Sequence, residues 1–151
     1  MKPDKILFVD DEAMALKYFE RLVGPLAPVL TAPSVEAGKA ILRERGAEIA
    51  VLVSDQRMPG ERGNELLRHA REHHPHIVRL LFTAYADKDM ALAAVNQGQV
   101  HRILEKPLDE TLMRATLRDA LAQSLRSARE RLLLERRAAA LSDARYRQGL
   151  V

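Results

Sequence analysis

The chain has 151 residues, 47% hydrophobic and 30% charged, with no cysteine. That is room for one compact domain plus an extension, and it closes disulfide and thiolate-metal chemistry. No stretch approaches the ~20 apolar residues of a membrane span, and the N-terminus lacks a basic segment followed by a long apolar one, so a cytoplasmic protein with no membrane association is expected.

Short apolar runs alternate with longer amphipathic stretches from Ile6 onward. Strands are predicted near 5–9, 28–32, 49–54, 77–82 and 101–105, and helices near 13–23, 34–45, 63–73, 87–97 and from 109 onward. Gly24-Pro25 stops the first helix, Ser34 caps the second and Gly46 ends it. Pro75 precedes the fourth strand, Gly98 follows the fourth helix, and Asp109 caps the fifth. The run 49–53 is wholly apolar and 77–82 nearly so, as strands covered on both faces require. The fold class is therefore α/β: a doubly wound, five-stranded parallel sheet between two layers of helices.

The last helix runs long. No proline follows Pro107 and no glycine lies between Gly98 and Gly149, so helical periodicity persists from Asp109 to about Arg147, on the order of 58 Å. Leu121, Leu125, Ala128 and Leu132 form a short 4-3-4 seam, Glu135 breaks it, and Leu134, Ala138 and Leu141 offer a shifted one. The expected division is a domain over 1–121 and a helical extension over 122–151. The extension would serve as a coiled coil in a homodimer or as a connector to an output domain; the alternative is a tail that folds back or frays. It also holds the basicity: Arg126, Arg129, Arg131, Arg136, Arg137, Arg145 and Arg147 stand against Glu130, Glu135 and Asp143, leaving the first 121 positions at −1 of the total +3. Direct nucleic-acid binding is not expected, because acidic residues are interleaved and no aromatic residue joins the arginines before Tyr146.

Four of the five predicted strands deliver a residue able to handle metal or phosphate: Asp10 and Asp11 after the first, Asp55 after the third, Thr83 after the fourth and Lys106 after the fifth. Sites in open parallel sheets form at the carboxyl ends of strands. Singly, these residues have ordinary explanations: an acidic helix start, a turn before Pro59-Gly60, a strand-end threonine, a surface lysine. Jointly they describe a Mg²⁺ site, with Asp11 and Asp55 as ligands and Asp10 acting through water. Asp55 would be the carboxylate nucleophile for a phosphoryl group, Lys106 would offset charge on its oxygens and Thr83 would donate to one of them. His69, His73, His74 and His76 are close in sequence but have no acidic third ligand at metal-site spacing; they are expected to be solvated, and Met90 and Met113 to be core.

The set Val9-Asp10-Asp11-Glu12, Ser54-Asp55-Gln56-Arg57-Met58-Pro59-Gly60, Phe82-Thr83-Ala84 and Lys106-Pro107 closely resembles the receiver domains of bacterial two-component response regulators, over about residues 4–121. The resemblance implies a flavodoxin-like fold of strand order 2-1-3-4-5. It also implies phosphoryl transfer from a histidine kinase or phosphotransfer protein to Asp55, the backbone carbonyl of Arg57 as a further metal ligand, and a cis bond before Pro107. Beyond its own phosphorylation and dephosphorylation no enzymatic activity is implied. Such domains switch by moving the threonine while a strand-five aromatic turns inward; that position is Ile103 here, a stiff side chain with no ring. Arg57 and Tyr85, flanking the site, are expected to hinder water and slow dephosphorylation. The tract from Val95 to Leu108 is similar to receivers joined to phosphodiesterase, transcription-activating or kinase output modules, so the chain is expected to be the amino-terminal piece of a larger regulator.

Two other readings remain open. An aspartate-nucleophile phosphatase of similar topology is disfavoured by the absence of a spaced DxDxT motif, and no GxxxxGK[ST] or GxGxxG loop points to a nucleotide enzyme. A phosphorylation-independent interaction module that keeps the fold is kept open by Ile103.

Overall fold

The structure, a computed structural model, describes residues 3–149, and of Tyr85 only the backbone. Strands β1 (Lys5–Val9), β2 (Val29–Ala32), β3 (Ile49–Asp55), β4 (Val78–Thr83) and β5 (Arg102–Glu105) alternate with helices α1 (Ala13–Val23), α2 (Val35–Arg45), α3 (Gly63–His73), α4 (Lys88–Asn96) and α5 (Glu110–Arg147). The strands are parallel and ordered β2-β1-β3-β4-β5, the flavodoxin-like topology.

Period-two alternation divides each strand between two cores. Leu7, Val9, Leu52 and Leu81 face α2, α3 and α4 through Val35, Leu42, Leu66, Leu67, Ala70, Ala91 and Ala94. Ile6, Phe8, Val51, Val53, Leu80 and Phe82 face α1 and α5 through Phe19, Leu22, Val23, Met113, Leu117 and Ala120. Phe8 and Phe19 stack with ring centroids 4.0 Å apart, worth about 0.5–1.5 kcal/mol beyond their burial.

The caps behave as their side chains dictate. Ser34 Oγ accepts from the Ala37 amide at 3.0 Å and Asp109 Oδ1 from the Leu112 amide at 3.0 Å, satisfying donors that a helix start leaves free. Gly46 follows α2 for a packing reason: its φ is −56°, and a Cβ there would lie 2.5 Å from the His74 ring.

Two expectations fail. Met113 is core, but Met90 is 40% exposed, with its sulfur accepting from Gln56 Nε2 and Arg62 Nη1. The histidines are less solvated than their composition implies. His73 is exposed, but His69, His74 and His76 are half-buried, because the chain turns from α3 into β4 against the end of α2, where His76 Nε2 meets the Gly46 carbonyl at 3.0 Å.

Helix α5 is unbroken over 38 residues, about 57 Å at 1.5 Å per residue. It packs on the sheet as far as Ser124, and from Arg129 every described residue is exposed, so it does not fold back. Among the described residues no helix is long and apolar enough to cross a membrane.

Candidate functional site

Register brings the sequence-separated residues together. Val9 pairs with Ser54, Asp55 with Phe82 and Thr83 with Glu105. The ladder continues one bond further at each side, Asp10 N donating to the Ala32 carbonyl and Lys106 N to the Thr83 carbonyl at 2.8 Å. Asp10, Asp11, Asp55, Thr83 and Lys106 thus share the carboxyl edge of the sheet, with the Lys106–Pro107 bond cis.

Ligand oxygens of Asp10, Asp11 and Asp55 lie within 4.8 Å of one another. Asp10 and Asp55 are buried and Asp11 is exposed. Burial, and secondarily the Asp55 charge, hold the Asp10 carboxyl above its ordinary range, while the Glu12 amide donating to Oδ1 pulls the other way. A cluster of three carboxylate oxygens at this spacing fits a hard divalent cation; among the described residues it is the only group of three or more His, Cys, Asp or Glu side chains so arranged.

Lys106 Nζ stands 3.1 Å from Asp55 Oδ1 and 5.2 Å from the centroid of the Phe82 ring, within cation–π range. The buried Thr83 hydroxyl makes no close bond, its best approach being 3.5 Å to the Ala84 carbonyl. Asp55 Oδ1 also accepts from the Gln56 amide at 2.9 Å. Ile103, on β5, is half-buried and packs toward the α2–α3–α4 side.

The Arg57 guanidinium, expected to overhang the acceptor, is engaged by Asp87 in the turn before α4: Nε reaches both carboxylate oxygens at 3.0 and 2.9 Å, and Nη2 reaches Oδ1 at 2.8 Å. The Tyr85 side chain lies outside the described residues.

Three contributors went unread in the sequence. Gly63 opens α3 directly against the end of β3, where a Cβ would lie 1.9 Å from the Asp55 carbonyl oxygen; a poor helix former in the first turn of a predicted helix was the available signal. Gln56 is 1% exposed, and its Oε1 accepts from the Asn64 amide. Asp87, paired across 30 positions, left no local signal.

The parallel order and the acidic edge define a flavodoxin-like domain with its site at the strand ends. The response regulator receiver domain family matches residues 6–118, and the chain belongs to that family. It is 34% identical over 137 residues to the hydrogenase transcriptional regulatory protein HoxA of Cupriavidus necator, covering 90% of this chain and 28% of HoxA. It is 34% identical over 102 residues to the DNA-binding transcriptional regulator NtrC of Escherichia coli K12, covering 67% of this chain and 21% of NtrC. A response regulator receiver domain protein from Clostridium thermocellum superimposes with a TM-score of 0.75 at 30% identity, covering 86% of this chain and 98% of that one. The chain spans less than a third of the length of these curated relatives.

Proposed function

We propose that this domain accepts a phosphoryl group on Asp55 from a histidine kinase or phosphotransfer protein in the cytoplasm and passes the change of state through α4 and α5. The observation that carries the reading is the Lys106 ammonium 3.1 Å from Asp55 beside two further clustered carboxylates. A basic group facing three acidic ones suits a site that must hold both a divalent cation and a phosphate.

The Asp55 carboxylate oxygen attacks phosphorus on the donor's phosphohistidine. The O–P bond forms as the P–N bond breaks, and the imidazole nitrogen leaves with the bonding pair and takes up a proton. Lys106 turns from the carboxylate to the new phosphoryl oxygens, and Thr83, whose hydroxyl is uncommitted, donates to one of them. Asp10, Asp11, Asp55 and the Arg57 carbonyl would hold Mg²⁺, which when bound would offset the charge of the carboxylates and of the incoming group. The domain has no other substrate; it is a signalling module rather than an enzyme.

Beyond the domain, the exposed leucines of α5 favour a parallel homodimer or a connector to an output module. Regulators of transcription such as HoxA and NtrC indicate the kind of output.

The test is incubation with Mg²⁺ and acetyl phosphate. A hydroxylamine- and base-labile adduct of one phosphoryl group should form, fail to form when EDTA is present from the start, and be absent in Asp55→Asn. Continuous release of phosphate at enzymatic rates would favour the phosphatase reading, and no adduct would favour the phosphorylation-independent module.

A further inference from the structure

The two residues after Asp55 both leave the site and grip the same helical turn. Gln56 is buried and fully used. Its amide donates to Asp55 Oδ1 at 2.9 Å, its carbonyl accepts from the Gly63 amide at 3.0 Å, its Oε1 from the Asn64 amide at 2.9 Å, and its Nε2 donates to Met90 Sδ at 3.0 Å. Arg57 makes the two-pronged pair with Asp87. Asp87 is the residue that caps the start of α4 and Met90 lies three residues on, in its first turn. Arg62, further along the same loop, adds a second bond to Met90 Sδ at 3.1 Å.

Asp87 is 7% exposed while the Arg57 side chain is 75% exposed. The acid is fixed and the arginine is the movable arm, with its charge the principal compensation for a buried carboxylate. On the other side of the sheet edge, Ile103 offers no ring to rotate and its branched side chain is stiff.

We propose that Gln56 and Arg57 are positioning residues that couple the charge state of Asp55 to α4 through Met90 and Asp87, carrying the signal that β5 cannot carry through Ile103. The inference rests on Asp55 being the phosphoryl acceptor. A phosphoryl group adds bulk and negative charge at the oxygens that Gln56 N now touches. Any shift of Gln56 pulls on Met90, and any pull of the new charge on Arg57 loosens Asp87. Both displacements act on one turn of one helix, so the coupling needs no intermediate element.

The test uses the full chain: wild type, Asp87→Asn/Met90→Leu, and Ile103→Ala. Amide hydrogen exchange is read across Lys88–Asn96 with and without Mg²⁺ and beryllofluoride, and ¹⁹F NMR follows binding of the fluoride complex. Without ligand, the first turn of α4 should exchange at least fivefold faster in the double variant than in wild type. Arg57→Ala, which breaks the ion pair from its exposed side, should do likewise if Asp87→Asn fails to fold. With ligand, all three proteins should show the bound fluorine signal. The exchange response of α4 should persist in Ile103→Ala and fall below a quarter of the wild-type response in the double variant. A full response in the double variant, or its loss in Ile103→Ala, overturns the coupling. No bound fluorine signal in wild type overturns the acceptor reading instead, and the ligand-free comparison still decides the clamp: unchanged exchange there refutes it.

Discussion

At Gly63 the backbone of α3 passes so close to β3 that a methyl group would fall 1.9 Å from the Asp55 carbonyl oxygen and 2.8 Å from Ser54 Oγ. Backbone has no rotamer to yield, so either the helix start or the acceptor must shift. Gly63→Ala should cost about 1–3 kcal/mol, the usual range for overpacking, and slow phosphoryl uptake at Asp55 at least tenfold. Gly60 provides the contrast. Its φ is +87° but nothing lies within 4 Å of a Cβ there, so Gly60→Ala carries only the ~1–2 kcal/mol left-handed penalty and should leave the uptake rate nearly unchanged. Denaturant melts and acetyl phosphate time courses on both variants check this; equal rates would show that α3 can retreat without disturbing the acceptor.

At the scale of elements, what was legible in the sequence followed from periodicity and punctuation. The apolar runs of β1, β3 and β4 became strands buried almost throughout, the edge strands β2 and β5 are only partly covered, and Ser34 and Asp109 cap the helices they precede. The site was legible because the sheet edge gathers strand-end residues whatever their separation. What stayed hidden depends on partners that no local pattern encodes. Arg79 sits in an apolar run and is 6% exposed, its guanidinium spent on the Gln99, Ile77 and Gly98 carbonyls. Met90 lies at the edge of the core, its sulfur accepting from the buried Gln56 amide on one side and from the exposed Arg62 guanidinium on the other. The histidines around the α3–β4 turn are half-buried, and burial is the first cause holding His69, His74 and His76 below the ordinary imidazole value. A lowered folded value means that the unfolded chain binds more protons below pH 6.5. Their contribution is therefore complete above that pH and is lost as pH falls toward each folded value. Asp10 acts with opposite sign, since protonation through its raised value favours the fold and offsets part of the histidine effect. Stability should therefore drop by on the order of 1 kcal/mol between pH 7.5 and pH 5.5. The drop should shrink in His74→Gln/His76→Gln, as measured by urea unfolding in the absence of divalent ions.

For the molecule as a whole, α5 is both wall and exit. Met113, Leu117 and Ala120 close the α1 side of the sheet, and Ser124 is the last deeply buried one among the described residues. Beyond it, Leu125, Leu132, Leu133, Leu134 and Leu141 are 40–61% exposed. Fully burying a leucine yields about 1.5–3 kcal/mol, so a helix that leaves five uncovered gains by pairing. Leu125 and Leu132 sit seven apart on the seam with Ala128 between them, which suits close approach of a second copy; the break at Glu135 limits its length. The full chain should therefore sediment with a concentration-dependent mass approaching twice its 17.0 kDa. Leu125→Asp/Leu132→Asp should hold it to a single mass without lowering the melting temperature of the domain, because neither side chain is buried within one copy. If beryllofluoride and Mg²⁺ change the dimer constant tenfold, about 1.4 kcal/mol of the acceptor's change reaches α5. That shift should vanish in Asp87→Asn/Met90→Leu while the fluoride complex still binds, since α4 is then cut off from the loop that follows Asp55.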